Sequence, residues 1–399
     1  MRFLVLFLCT LLWISHSKPV LAQRWQQREL LSYLASIQAM HPDSVKELDL
    51  TRMKLDSFPR ILLQYKSVEV IHLDRNNFKE IPPEIERFPK LLTLSISENQ
   101  LSATTLKLRK YRKLKTFAAD RNPFPAQLKI KAGPKLEKIE LSNNRLQKIQ
   151  VSGKAVVELN LASNKLERIH LKGLFFKPRL EVINLADNQL TQLPEGILGQ
   201  RALRKLVLAS NKMTQIPPAI SNFSKLESVI FYKNKITAVP DFVFNLRNLN
   251  ELDLHYNFLD TLPEGIGRLT QLEELYIAHN ALKFLPDSLV FLGQLRLLYA
   301  EYNELERLPV HFKKLTELER LGLNNNRFLI FPIEIAHLKN LKELDIADND
   351  IEEFPGGLKE LQALRLLFLN DNACKDGMQC MLWLKEVEKR ISKEARYQY

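Results

Sequence analysis

The sequence predicts an α/β solenoid, a right-handed curved horseshoe whose concave face is a parallel sheet of about 15 strands and whose convex face carries short helical or 3-10 segments. Three observations predict it. A pattern of leucines repeats every 23 residues through residues 180–372. Within each repeat, apolar and other residues alternate as they do in a strand with one buried face. The segment that returns to the next strand carries apolar residues three apart, which is typical of a short helical turn. Because one such coil cannot bury its own apolar side, neighbouring coils must stack.

Each regular repeat reads Leu-x-x-Leu-x-Leu-x-x-Asn and continues into a Leu-Pro turn. The proline removes a backbone donor, which suits a turn and ends strand pairing. A buried asparagine amide must be hydrogen-bonded, so we expect each one to bind backbone groups of its own turn and of the neighbouring coil. These asparagines form a predicted ladder through Asn188, Asn211, Asn234, Asn257, Asn280, Asn303, Asn326, Asn349 and Asn372.

This pattern resembles the leucine-rich repeat superfamily. It is most similar to the 23-residue Leu-Pro-x-x-Ile type of Ras-pathway scaffolds, plant Ras-group proteins and many bacterial proteins. The resemblance covers about 330 residues of the chain. It implies the horseshoe fold and a binding role, but it names no ligand, because such scaffolds host many functions.

The repeats divide the chain into four predicted segments. Residues 1–22 are predicted to be a secretory signal peptide. A charged start is followed by an apolar run that is too short to span a membrane, and then by a small-residue cleavage site. Residues 23–44 are predicted to form an N-terminal cap helix. Residues 45–372 form the solenoid, with irregular repeats at 91–179 and regular ones at 180–372, and residues 373–399 form a C-terminal cap helix that covers the last coil.

The leader predicts an exported mature chain beginning at Gln23, periplasmic or secreted, without a lipid anchor and without another membrane span. Extracellular animal relatives usually carry cysteine-rich caps at both ends, and plant receptor ectodomains prefer 24-residue repeats, so a bacterial source fits best. A cytoplasmic location is the alternative. Cys374 and Cys380 are candidates for a structural disulfide in an oxidising compartment. They are a poor match to a metal site, because no histidine is close in sequence.

The repeats at 91–179 vary in length and lack the Leu-Pro turn, which predicts a shorter or looser return segment and a local change of curvature. They also hold a run of six cations on the return side. Two interpretations remain open: a docking patch for an anionic polymer or membrane surface, and an ordinary solvated convex face. Tyr111 is the only aromatic residue in the run, which disfavours nucleic-acid binding. The run consists of Lys107, Arg109, Lys110, Arg112, Lys113 and Lys115.

The third, fifth, seventh and eighth positions of each strand motif are predicted to project from the concave face. In repeats nine to twelve these positions hold five of the ten tyrosines of the chain. Clustered tyrosines on a rigid sheet favour a recognition surface, because they bury a large area at low entropic cost. The competing explanation is that tyrosine is common in strands. The predicted ligand-binding residues are Ile230, Tyr232, His255, Tyr256, Tyr276, His279, Tyr299, Glu301 and Tyr302.

The sequence predicts no enzyme and no cofactor, since it lacks phosphate-binding, nucleophile-elbow and zinc-protease motifs. His255, His279 and Glu301 are of zinc-ligand type, but they are expected on an open sheet without a water-excluding pocket. The predicted function is a non-catalytic scaffold that binds a protein partner through its concave face. The alternative is an exported binder of a carbohydrate or an anionic envelope polymer, which should weaken steeply with ionic strength.

Overall fold

The computed structural model describes residues 20–170, 179–354, 358 and 360–373. Residues 1–19 of the predicted leader lie outside the described residues, as do the cysteine pair Cys374 and Cys380 and all but the first residue of the predicted C-terminal cap. The described chain begins with helix α1 (Val20–Gln38), which runs through the predicted cleavage point. Tyr65 of the first coil donates its hydroxyl to the Ile37 carbonyl oxygen over 3.1 Å, so the end of the helix is bound to the first coil.

Within the described residues, fifteen strands form one parallel concave sheet in which neighbours belong to successive coils. The predicted fold class is therefore confirmed. The register is direct, as in the pairing of Leu252 with Leu275, and both leucines are fully buried. The strands are β1 (Glu47–Asp49), β2 (Val70–His72), β3 (Thr93–Ser95), β5 (Thr116–Ala118), β7 (Lys138–Glu140), β9 (Glu158–Asn160), β11 (Val182–Asn184), β12 (Lys205–Val207), β13 (Ser228–Ile230), β14 (Glu251–Asp253), β15 (Glu274–Tyr276), β16 (Leu297–Tyr299), β17 (Arg320–Gly322), β18 (Glu343–Asp345) and β19 (Leu366–Phe368).

Most return segments are single turns of 3-10 helix, as the three-residue apolar spacing predicts. In most of the described Leu-Pro repeats the proline directly precedes or begins the turn, where its fixed φ fits and no donor is lost. Within the described residues these 3-10 segments are Arg60–Gln64, Pro83–Arg87, Leu108–Lys110, Glu195–Ile197, Pro218–Asn222, Asp241–Asn245, Glu264–Arg268, Asp287–Phe291, Phe312–Lys314 and Ile333–His337.

The irregular repeats differ from the prediction. Their return segments form a second parallel sheet of four strands on the convex side: β4 (Thr105–Lys107), β6 (Gln127–Lys131), β8 (Lys148–Ser152) and β10 (Arg168–His170). The expectation of a looser segment was wrong, because apolar residues alternate there and bury one face. Leu128, Ile130, Ile149 and Val151 are each at most 1% exposed. Without the Leu-Pro proline, every backbone N–H of these strands is available for pairing.

The ladder asparagines link each coil to the one before it. Asn257 donates its side-chain amide to the carbonyl oxygens of Leu254 and His255 in its own turn, at 3.0 and 3.1 Å, and to that of Phe231 in the preceding coil, at 3.1 Å. Its Oδ1 accepts the Ile236 N–H over 3.0 Å. The side chain thus satisfies backbone groups that would otherwise be buried without partners.

A candidate binding surface on the concave face

The nine predicted ligand-binding residues lie together on four adjacent coils, at the C-terminal ends of β13 to β16. Ile230, Tyr276 and Tyr299 are the last residues of β13, β15 and β16. The other six residues occupy the seventh and eighth positions, where the chain leaves the sheet. Tyr256 and Tyr302 are the most exposed rings of the set, at 43% and 47%.

Four of the rings form an outer row along the edge of the sheet. Tyr232 contacts Tyr256 edge to face, with ring centroids 5.3 Å apart. His279 is stacked between Tyr256 and Tyr302, with centroid separations of 3.8 and 4.1 Å. Each ring packs against the ring of the neighbouring coil, so the row presents a continuous aromatic surface that is held in place before any ligand arrives.

The backbone explains why these rings reach one another. Tyr256, His279 and Tyr302 adopt left-handed conformations, with φ of 54°, 51° and 50°. This conformation is unfavourable for bulky residues, at about 1–2 kcal/mol each. It recurs at the eighth motif position of all the described coils and directs successive side chains alike. Sequence reasoning missed it, because the position holds varied residues, with asparagine in only two coils and glycine, the usual signal of a left-handed turn, in none of the described ones.

Three further rings form an inner row. His255 lies 5.2 Å from Tyr276 and 6.5 Å from Tyr299, and the two tyrosine rings are 5.7 Å apart. The Tyr276 hydroxyl lies 2.8 Å from Glu274 Oε2, to which it donates. Burial, together with this neighbouring carboxylate, raises the pKa of Tyr276 well above its usual range, so the phenol stays protonated. The inner row therefore offers ring faces and neutral hydroxyls.

Glu301 is the least expected member of the site. Its Oε2 atom is buried and has no hydrogen-bond partner among the described residues. Burial raises the pKa of this carboxyl to about 7. Gly322 on the next strand leaves room for it, since a Cβ built at Gly322 would lie only 2.0 Å from Glu301 Oε1 and 2.9 Å from the Tyr299 ring. Gly322 therefore belongs to the site, although it is not among the predicted binding residues.

The surface around the rings is acidic, in contrast to the chain as a whole, whose formal net charge is +12. Seven carboxylates and one arginine occupy the outward positions of repeats ten to fourteen. Glu251 forms an ion pair with Lys205 at 3.2 Å. Asp345 has no cation within salt-bridge distance among the described residues, and burial raises the pKa of its carboxyl. The acidic residues are Glu251, Asp253, Glu274, Glu301, Glu343, Asp345 and Asp348, and the arginine is Arg320.

The described residues contain no group of three or more histidine, cysteine, aspartate or glutamate side chains that could hold a metal ion. His255 is hydrogen-bonded to Asp253 Oδ1 at 3.2 Å, and His279 is stacked between two tyrosines. Burial and the nearby His255 lower the pKa of His279, which favours the neutral ring. Among the described helices, none has the length and apolar character needed to cross a membrane.

The residues of the predicted cationic run lie on successive parts of one coil, and two of them pair with glutamates. Lys107 ends β4, and Arg109 and Lys110 belong to the following 3-10 turn. Lys110 is paired with Glu86, and Lys115, which follows the return segment, lies 4.0 Å from Glu137. Arg112 and Lys113 are exposed. Tyr111 is buried, so it contributes no exposed ring to this region.

Known proteins share the repeat pattern and the fold. A family model described as Leucine rich repeat matches residues 154–213, 224–282 and 270–328. A leucine-rich repeat protein of Leptospira interrogans is 27% identical, with a TM-score of 0.75 over 85% of this chain and 87% of that one. The Arabidopsis receptor kinase HAESA, solved with the peptide hormone IDA and the co-receptor SERK1, is 25% identical, with a TM-score of 0.58 over 83% of this chain and 58% of that one.

Curated relatives match over a shorter stretch. Podocan-like protein 1 of Mus musculus is 31% identical over 167 residues, which are 39% of this chain and 29% of that protein. The matched stretch spans between 5% and 29% of the curated relatives' own lengths. The chain therefore matches less than a third of the length of each of these relatives.

Proposed function

We propose that this chain, which belongs to the leucine-rich repeat superfamily, is a non-catalytic scaffold that binds a protein partner through the concave surface of repeats nine to twelve. One observation carries the proposal: two rows of aromatic rings, stacked in advance on a rigid sheet, with Tyr256 and Tyr302 nearly half exposed. Such rings bury a large area without losing much side-chain entropy, as interface hot spots do.

The chemistry of the surface favours a partner segment with basic side chains. A cation placed over the faces of Tyr276 and Tyr299 is attracted by the ring quadrupoles. It would also meet Glu301 and the neighbouring carboxylates of β18. HAESA was solved with a peptide hormone, which agrees with a peptide-binding role for this fold.

The proposal is tested with a displayed library of random peptides selected on the purified chain. Peptides enriched in arginine and lysine should emerge. They should lose at least tenfold in affinity for the variant Tyr256→Ala/Tyr276→Ala/Tyr299→Ala, because truncation of an aromatic hot spot typically removes about 2 kcal/mol or more. The matched control is Phe291→Ala, since Phe291 is an aromatic residue that is 62% exposed on the convex side.

Two results would oppose the proposal: selection of no peptide above background, or equal binding to the triple variant and to the wild type. Selective binding of neutral glycans that depends on the same three tyrosines would instead favour the carbohydrate alternative. Export of the chain remains part of the proposal. It is supported only by the apolar leader and is tested by determining the mature N-terminus.

A further inference from the structure

We propose that the convex sheet is a second binding surface and that it takes a linear acidic polysaccharide. The residues of β4, β6, β8 and β10 include no aspartate or glutamate. Their outward positions carry four exposed lysines: Lys107, Lys129, Lys131 and Lys148. This surface lies on the return side of the solenoid, and its coils are different from those that carry the aromatic rows. The inference is therefore independent of the function proposed above.

The strand register places three of these lysines in a line. Lys131 pairs with Lys107 of β4, and Lys148 pairs with Gln127 of β6. Lys129 lies midway between Gln127 and Lys131 on the same face of β6. Lys148, Lys129 and Lys107 therefore run diagonally across three adjacent strands. With strands about 4.8 Å apart and a rise of about 3.3 Å per residue, successive lysines on the diagonal are separated by about 8 Å.

These lysines lack counter-charges. None of them forms an ion pair with another described residue, whereas cations elsewhere in the solenoid commonly pair with an acid of a neighbouring coil. Arg204, for example, pairs with Glu227 at 2.8 Å, and Arg296 pairs with Glu319 at 2.7 Å. A line of unpaired cations on a hydrogen-bonded sheet is complementary to a ligand that carries negative charges along its length.

The residues beside the lysines favour a polysaccharide over other polyanions. The outward positions hold no phenylalanine, tyrosine or tryptophan, so nucleic-acid bases find no ring on which to stack. They hold no large apolar side chain either, so nothing inserts into a bilayer. Amide, hydroxyl and imidazole groups flank the diagonal and suit sugar hydroxyls. These polar residues are Thr105, Gln127, Gln150, Ser152 and His170.

The test measures binding of the full chain to a size-defined heparin oligosaccharide, by calorimetry at 50 and 200 mM NaCl. If four lysines each displace a counterion, this fourfold rise in salt should weaken binding roughly 150-fold. The variant Lys107→Gln/Lys129→Gln/Lys148→Gln retains one contact and should weaken only about 3- to 4-fold over the same range. Its affinity at 50 mM should also fall well below that of the wild type.

The matched control, Lys225→Gln/Lys235→Gln/Lys313→Gln, removes the same charge from exposed lysines on other coils and should keep the wild-type affinity and salt dependence. Far-UV circular dichroism checks that both triple variants fold, and the single variant Lys129→Gln replaces the first if it does not. Absence of heparin binding would overturn the proposal, as would an equal loss in the control. Tighter binding of phosphatidylserine vesicles or oligo(dT) through these lysines would overturn the choice of polysaccharide.

Discussion

Replacing Glu301 with glutamine should stabilise the protein, and the gain should grow with pH. The structure buries the Glu301 carboxyl beside Gly322 and raises its pKa to about 7 from an ordinary value of 4.5. A raised pKa means that the folded state prefers the protonated acid. The associated stability is fully present below the unfolded pKa and is lost as pH rises through the folded pKa.

The magnitude follows from the shift. A difference of about 2.5 pKa units corresponds to about 3 kcal/mol at most. Because the concave face is open to water, we expect solvent screening to reduce this to about 1–2 kcal/mol. The free energy of unfolding of Glu301→Gln should therefore exceed that of the wild type by a margin that increases from pH 5 to pH 8.

Urea denaturation at pH 5, 6, 7 and 8 measures this margin. The matched control is Glu343→Gln on β18, a carboxylate 3.8 Å from Arg320. Its substitution removes an ion pair, so it should not stabilise the protein progressively as pH rises. A pH-independent difference between Glu301→Gln and the wild type would refute the reasoning, because it would mean that the buried carboxyl titrates normally.

Four other predictions follow from the described contacts. Gly322→Ala should push the Glu301 carboxyl into solvent, so its pKa should fall and the pH-dependent margin of Glu301→Gln should shrink when measured in the Gly322→Ala background. Asn257→Ala should lower the free energy of unfolding by about 2–4 kcal/mol, since it leaves the buried Ile236 N–H and several carbonyls unsatisfied; the exposed Asn245→Ala, measured in the same urea titration, should change it by less than about 0.5 kcal/mol. The affinity of a selected basic peptide should fall as pH decreases through about 7, because Glu301 becomes neutral, and the Glu301→Gln variant should lose this dependence in calorimetry. Edman sequencing of the exported product should begin at Gln23, and an uncleaved product in the cytoplasm would contradict the predicted leader.

The regular repeats were readable from the sequence because one residue type at each position performs one structural task. Leu252 and Leu275, for example, identify the buried face of their strands, and Asn257 identifies the turn that follows β14. The tyrosines were correctly assigned to one face by the same spacing. Their stacking was not predictable, because it depends on the left-handed φ of Tyr256 and Tyr302, which nothing in their own side chains indicates.

Two features of the structure were not predicted, and the reasons differ. Glu301 is buried because Gly322, twenty-one residues later, lacks a side chain. The two residues hold different positions in their repeats, the seventh and the fifth, so the repeat pattern does not indicate that they are in contact. The convex sheet, in contrast, is indicated by a pattern in the sequence. The segments around Leu128 and Ile149 alternate polar and apolar residues, but the expectation of a helical return segment led to their being assigned as loose.

The convex sheet also has a mechanical consequence. Where strands lie on both sides of the coils, the inner and outer spacing between coils is the same, about 4.8 Å. Where the outer side carries 3-10 turns, the spacing there is free to widen, and the stack bends toward the strands. We therefore expect the solenoid to be straighter and stiffer through residues 91–170 than from residue 180 onward. We expect a pulling force to extend the more curved part first, and that part carries the aromatic rows.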